Sequence, residues 1–456
     1  MKDQDVLEEI KRVLRHELDD DQYDLYHERR GDIITLLDIA GENGCRLEEL
    51  PAAIGRLKNL EHLSSPNCRL ISLQEWLGDL TKLTDLELPN NELTSLPESM
   101  PQLTNLRYLD LSRNRLSILP NGFRFPPNLR YLDLSRNRLS ALPDGFRFPS
   151  NLRRLHLEKN ELQALPESLS QLKNLSWLTL SMNQLSELRD DYQFPPNITE
   201  LELSGNGLRS FPESVCQVTT LKGLYLGNNQ LRTIPESVGG LASLESLVLS
   251  RNQLTALPES VTKLTNLIVL SVDQNQLQSL PEGIGKNRYW ILKLYKNQLT
   301  SLPETLGNQT LLRYWHMTDN PLRSLPDNFK FPPYLNSLSL ARSGLTTLPE
   351  TVGRLFYLKR LSLHGNHLTS LPESISQLTD LTFLDVRGNE LVTLPDWIER
   401  PTNLTVLHLD DNKLASLPDD FQFPPYLWRL SLAGNGMTRL PTSVERLQRN
   451  GCKVTT

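Results

Sequence analysis

Apolar residues recur along this chain in one fixed frame, L-x-x-L-x-L-x-x-N-x-L-x-x-L-P, as in LRYLDLSRNRLSILP from Leu106 to Pro120. The first half of the frame alternates, so its leucines share one face of an extended strand and the residues between them share the other. The asparagine stands at 91, 114, 137, 160, 183, 206, 229, 252 and 275, always 23 residues apart. After one 22-residue step it continues at 297 and 320, then at 366, 389, 412 and 435. Extended backwards, the frame puts Cys68 and Cys45 at the asparagine position, and Ser343 fills it once. Eighteen units result, with first positions from Leu37 to Leu427, and the first two are degenerate. One unit cannot bury its own leucines, whereas stacked units share a continuous core. A buried asparagine can satisfy both N–H and C=O groups in the tight turn after each strand. Cysteine and serine satisfy fewer, so the repeats at Cys45, Cys68 and Ser343 are expected to be weaker.

The segment between strands comes in two forms. The ordinary one, PESLSQLKNL from Pro166 to Leu175, reads as a short helical turn with proline at its first position and glutamate in its first turn. The other, PNGFRFPPNL from Pro120 to Leu129, returns at 143, 189, 326 and 418. Paired prolines beside phenylalanines look like a polyproline ligand for SH3 or WW domains. Alignment argues otherwise: Phe123 falls where Leu169 does and Pro126 where Leu172 does, so the first phenylalanine plugs the core and the prolines favour an extended return. At the ends, Val6, Leu7, Ile10, Val13, Leu14 and Leu18 have helical spacing. Residues 1–36 are therefore expected to form a helical cap, 37–441 the repeats, and 442–456 a C-terminal cap whose helix stops at Asn450-Gly451.

The frame resembles the leucine-rich repeat family, and units such as LPESVGGLASLESLVLSRNQLTALP are similar to the intracellular Ras-group and Scribble-type repeats. The resemblance implies an α/β class, right-handed solenoid, a horseshoe with short parallel strands on its concave side. It also implies a non-enzymatic scaffold that binds a protein or peptide in the concave groove.

Composition narrows this further. The chain has 456 residues and a net charge of -6, so nucleic-acid binding would need a local basic patch. Its four cysteines show no CxxC spacing, which fits neither a disulfide framework nor a zinc site. The N-terminal residues lack the apolar core of a secretion signal, and no apolar run approaches the roughly 18 residues of a spanning helix. These features suggest a cytoplasmic monomer without cofactor, metal or membrane. Arg30-Gly31-Asp32 and the sequons at Asn174, Asn197, Asn308 and Asn403 read as products of chance and of the repeat template. His364 and His367 lack a third ligand nearby, and no nucleotide loop, nucleophile elbow or HExxH motif occurs.

Residues at the second, third, fifth, seventh and eighth places of each unit should face the groove. Two groups stand out there. Tyr108, Tyr131, Arg154 and Trp177 occupy the third place of successive units, with Arg107, Arg130 and Arg153 beside them. At a strand spacing of about 4.8 Å they would stack into an aromatic and cationic strip. Glu87, Asp110, Asp133 and His156 run alongside; they resemble a carboxylate site, but neighbouring Arg113 and Arg136 suggest simple neutralisation of a copied surface. The second group surrounds the 22-residue unit: Tyr225, Val248, Ile268, Val269, Trp290, Ile291, Tyr295 and Tyr314, with Arg313. It would form one apolar patch of the kind that dominates interfaces, unless its members pack against one another within the sheet.

Three functions follow, in order of preference. The first is the protein-binding scaffold. The second is a bacterial effector of the leucine-rich-repeat class, acting on host proteins or the ubiquitin system from a host cytosol. Such proteins carry similar PPNL segments, but Cys452 has no catalytic domain around it. The third is nucleic-acid binding through the arginine strip, against which the acidic balance argues.

Overall fold

The computed structural model describes residues 2–18, 22–41, 45–143, 145–400 and 403–456, which form two compact units, Met1–Asn229 and Gln230–Thr456. In the first unit, helix α1 (Asp3–Glu17) buries Val6, Leu7, Ile10 and Leu14 along one face. The rest of the N-terminal segment departs from the helical expectation: β1 (Tyr23–Arg30) and β2 (Ile33–Gly41) pair as an antiparallel hairpin. The cause is local. ITLLDIA is rich in branched apolar residues with alternating burial, and Gly31 supplies the left-handed turn at a φ of 67°. The Arg-Gly-Asp tripeptide is thus the hairpin tip. Leu36–Asp38 of β2 then pair in parallel with His62–Ser64, which starts a ladder of three-residue strands ending at Gly223–Tyr225.

The second unit continues the same construction from Ser246–Val248 to Arg429–Ser431, strand pairing in parallel with strand. Helix α2 (Thr442–Arg449) follows and stops at Gly451, whose φ is 91°. Beyond it Lys453–Thr455 adds a further parallel strand that the repeat frame does not contain.

Register explains the core. Leu109, Leu132, Leu155 and Leu178 are direct partners across four strands, and all are fully buried. Each such leucine contributes on the order of 2 kcal/mol relative to an exposed one. The ordinary outer segments are 3-10 turns of about one and a half windings, such as Glu167–Gln171, and the proline stands just before them rather than inside. In the Phe-Arg-Phe-Pro-Pro segments the prolines prevent that turn, and Phe123 is buried as expected. Phe125 is buried too, edge-on to Phe123 at 5.1 Å, and the pairs 146/148, 192/194, 329/331 and 421/423 repeat the arrangement. The second aromatic is therefore packing as well, and the motif is unavailable to a reader domain.

The asparagines do what the frame requires. Asn206 Nδ2 donates to the carbonyls of Leu203 (2.9 Å) and Leu180 (3.0 Å), and its Oδ1 accepts the N–H of Leu185. Each asparagine thereby ties its own turn to the preceding repeat. The residue just before it is left-handed even when it is not glycine, as at Arg113, Arg136 and Lys296, which costs about 1–2 kcal/mol each. Among the described residues the Ser343 side chain makes a single bond, from its hydroxyl to the Ala341 carbonyl, and a cleft of about 510 Å³ opens beside it, lined by Arg323, Gly344 and His367 among others. Cys68 donates to the Ile39 carbonyl at 3.1 Å, and burial pushes its thiol up to about 12.

The 22-residue unit absorbs its missing residue on the outer side. Asn287 and Gln309 stand where Leu241 and Leu264 stand in the units before. Gln309 Nε2 donates to the carbonyls of Gly285 and Asn287, both at 2.7 Å, and its Oε1 accepts the N–H of Tyr289. Asn287 Nδ2 donates to the Tyr289 hydroxyl. Tyr289 and Trp315 are fully buried in leucine positions. The strands on either side therefore keep their register, Val269 opposite Ile291 and Tyr314 opposite Ser337.

Candidate functional site

Of the two residue groups expected in the groove, the second lies in the second unit except for Tyr225. The arginine and aromatic strip lies wholly in the first. Tyr108, Tyr131, Arg154 and Trp177 are consecutive cross-strand partners, as the third-place column requires. Their surfaces are largely consumed by one another. Tyr108 and Tyr131 stack at 4.3 Å with 6° between their planes. His156 lies 5.2 Å from Tyr131 and 6.5 Å from Trp177, and the Arg154 guanidinium sits 5.5 Å above Trp177. Arg107, Arg130 and Arg153 stay exposed around a polar hollow of about 420 Å³ shared with Asn128 and Asn151, and Arg154 is exposed as well. Asn128 and Asn151 spend their amide donors on carbonyls of the preceding repeat.

The carboxylates beside the strip are structural. Asp110 and Asp133 accept the N–H groups of Ser112 and Ser135, each at 2.8 Å, and among the described residues no ion pair joins them to Arg113 or Arg136. Backbone donors, rather than those arginines, hold the two carboxylates. Burial raises the pKa of Glu87 and Asp110 and of the Tyr108 and Tyr131 phenols. Tyr225, half-buried, is on the last strand of this unit.

The second group is different. Trp290 and Tyr314 are 61% and 60% exposed, and Ile268 and Ile291 are exposed as well. Val248, Val269, Tyr295 and Arg313 are half-buried instead. Burial raises the pKa of the Tyr295 phenol, and the nearby Asp273 carboxylate acts in the same direction. Beyond these the structure adds four exposed residues that the groove places did not include: Leu311, Tyr334, Phe356 and Tyr357. Leu311, Tyr334 and Tyr357 each stand immediately before the first core position of a unit, at the entrance to the strand. Tyr334 lies 5.7 Å from Tyr357 and beneath Arg313, whose guanidinium is 5.3 Å from its ring. Eight of the sixteen exposed large apolar residues described thus fall between Ile268 and Tyr357, a concentration that scattered surface residues would not produce. The signal was present in the sequence as aromatic residues in the place that asparagine fills in the first unit.

Further along the second unit, Ser362, His364 and Asp385 come together, but not as a catalytic relay. Ser362 Oγ lies 2.9 Å and Asp385 Oδ2 3.5 Å from the same nitrogen, Nδ1, while Nε2 faces Arg342 at 3.3 Å. A relay needs the nucleophile and the acid on opposite nitrogens. Burial, then the nearby arginines, lower the His364 pKa, and Arg387 holds Asp385 through bonds of 2.7 and 2.8 Å. Among the described residues no group of three His, Cys, Asp or Glu could hold a metal ion, and no helix is long and apolar enough to cross a membrane.

Models of the family described as leucine rich repeat match residues 81–139, 127–185 and 333–391, a leucine-rich repeat region model matches 200–290, and a single-repeat model matches 403–423. No curated protein matches the chain. Among solved structures, YopM from Yersinia enterocolitica is 30% identical over 89% of this chain and 84% of its own, with a TM-score of 0.65. A leucine-rich repeat protein of Leptospira interrogans is 29% identical over 92% of this chain and 90% of its own, with a TM-score of 0.53. YopM of Yersinia pestis, described as a leucine-rich effector protein, is 27% identical over 80% and 87%, with a TM-score of 0.50. The repeat frame, the buried asparagine ladder and these likenesses agree: the chain belongs to the leucine-rich repeat family.

Proposed function

We propose that this protein is a non-catalytic interaction scaffold and that the strand face of its second unit holds a segment of a partner protein. The observation that carries the proposal is the group of exposed apolar residues from Ile268 to Tyr357, centred on Trp290 and Tyr314. Exposing them to water is unfavourable, and aromatic anchors of this kind supply most of the energy of protein interfaces. The strip of the first unit is the lesser contact, because its rings already face each other. Replacing Trp290 and Tyr314 with serine tests the reading; Tyr295 is spared because it is half-buried. The double variant should fold normally and fail to retrieve the partner that wild type retrieves from a native lysate. A folded variant that retrieves it unchanged rejects this site.

The likeness to YopM supports a second reading, in which the scaffold is a bacterial effector. An effector leaves the cell that makes it. Finding the chain only inside its producing cell, never in the medium or in a contacted cell, would reject that reading.

A further inference from the structure

The strand segments of five consecutive repeats, 266–271, 288–293, 311–316, 334–339 and 357–362, contain Arg288, Lys293, Arg313, Lys359 and Arg360 and no Asp or Glu. The equivalent segments on either side in the same unit do contain carboxylates: Glu245 before them, Asp380 and Asp385 after. The acid-free window coincides with the exposed apolar group. All of this sits in a chain with 54 acidic against 48 basic residues, so it is a local reversal of the overall charge.

The cations are not answered from within. Arg313 lies over Tyr334 and bonds to the carbonyls of Thr310 and Leu312, and Arg360 lies 3.9 Å over the ring of Phe383. Lys293 and Lys359 are exposed, and among the described residues none of the five forms an ion pair. Two acids stand at the strand exits: Asp273 is buried and accepts the Ser271 hydroxyl at 2.6 Å, and Asp319 is committed to Arg342. His316 follows the same field: burial first, then Lys293, lowers its pKa. A face of exposed rings and aliphatic side chains ringed by unanswered cations is complementary to apolar side chains interspersed with carboxylates.

We infer that the strand face of the second unit binds an extended acidic segment of a protein, in which carboxylates alternate with large apolar side chains. The inference rests on the proposed use of this face and adds the chemistry of its occupant. Strands about 4.8 Å apart put about 19 Å between the first and the fifth, which an extended chain covers in about six residues. Single-stranded nucleic acid would also meet cations and rings, but Ile268, Ile291 and Leu311 offer its bases no stacking surface.

The test uses the full-length chain and four labelled probes: a twelve-residue peptide alternating glutamate with leucine or phenylalanine, the same peptide with glutamine, the same with lysine, and an oligothymidylate of twelve nucleotides. Wild type should bind the glutamate peptide about tenfold more tightly than the glutamine peptide in dilute salt, and the preference should shrink at high salt. Lys293→Glu/Lys359→Glu touches two exposed side chains and should abolish the preference without altering the circular dichroism spectrum. Equal affinity for the glutamate, glutamine and lysine peptides, or tighter binding of the oligonucleotide, overturns the acidic occupant. If the glutamine peptide then still binds and loses affinity in Trp290→Ser/Tyr314→Ser, the proposed use of the face survives. If no peptide responds to that double variant, both fall together.

Discussion

The strips around Tyr108 and around Trp290 are built on the same backbone, yet their side chains end in opposite conditions. In the first unit Tyr108 meets Tyr131, His156 fills the gap to Trp177, and Asp110 and Asp133 take backbone donors. Near-identical repeats place like residues one strand spacing apart, and flat rings at that separation stack. In the second unit the third place reads Val269, Ile291, Tyr314 and Ser337, so that column holds no ring stack, and Tyr334 and Tyr357 at the strand entrances meet tilted at 5.7 Å. Repetition closes a surface and irregularity leaves one open. A solenoid can therefore confine recognition to a few repeats without changing its fold.

The largest effect that could break this contrast is on binding. Trp290→Ser/Tyr314→Ser should weaken capture of the partner by at least about 2 kcal/mol, roughly thirtyfold. Tyr108→Ser/Tyr131→Ser should change it by less than about 0.5 kcal/mol. An equilibrium titration of both variants decides; the reverse ranking would move the site to the first unit.

Stability of the ladder comes next and sharpens the comparison at the asparagine position. Asn206→Ala removes the acceptor of the Leu185 N–H and one of the two amide donors to each of the Leu180 and Leu203 carbonyls, and should destabilise the first unit by about 1.5 kcal/mol. Ser343→Asn should move the second unit the other way, by about 1 kcal/mol, because the larger side chain can restore the missing bonds. Denaturant unfolding followed by segment-resolved hydrogen exchange reads both. An unchanged Asn206→Ala profile would show that the ladder does not hold the turn.

A smaller difference tests whether the first strip is packing. Tyr131→Ala loses a stacked partner and should cost about 1 kcal/mol beyond its lost area. Tyr314→Ala, at 60% exposure, should be close to neutral. Equal losses at both positions would mean that Tyr314 also packs, and the open face would shrink accordingly.

How much of this could be read beforehand follows from which interactions are periodic. The leucine face, the asparagine ladder and the plug at Phe123 are fixed by the 23-residue frame, and Asn450-Gly451 marks the end of α2 as a local stop signal. The hairpin at Tyr23–Gly41 lies before the frame begins and depends on Gly31 and a branched run, which helical spacing in the preceding residues obscured. Asn287 and Gln309 break the pattern together, and their mutual bonding is visible only once the short unit is folded. In the site, the places assigned to Trp290 and Tyr314 proved open. The entrance column Leu311, Tyr334 and Tyr357 was missed because the template treats that place as turn. Exposure within the strand face depends on neighbours 22 or 23 residues away, so a single repeat cannot reveal it.

The smallest expected effect is the response of the two strand faces to mild acid, and its sign differs between them. In the first unit burial raises Glu87, Asp110 and Glu202, so the folded state takes up protons more readily than the unfolded chain. Acidification then stabilises this face, starting as the pH falls through the raised values and ending below about 4, the ordinary carboxylate range. In the second unit burial lowers His316, His364 and His408, so the unfolded chain binds protons more readily. Their contribution is present above the ordinary histidine value of about 6.5 and is lost as the pH falls through it towards the lowered folded values. Between pH 7 and 5.5, hydrogen exchange should therefore quicken at Tyr314–His316, Arg360–Ser362 and Val406–His408, after correction for intrinsic rates, while Asp85–Glu87 and Tyr108–Asp110 hold or slow. Loosening of both faces in step would mean that the response is global, and that His316, His364 and His408 do not set the second face apart from the first.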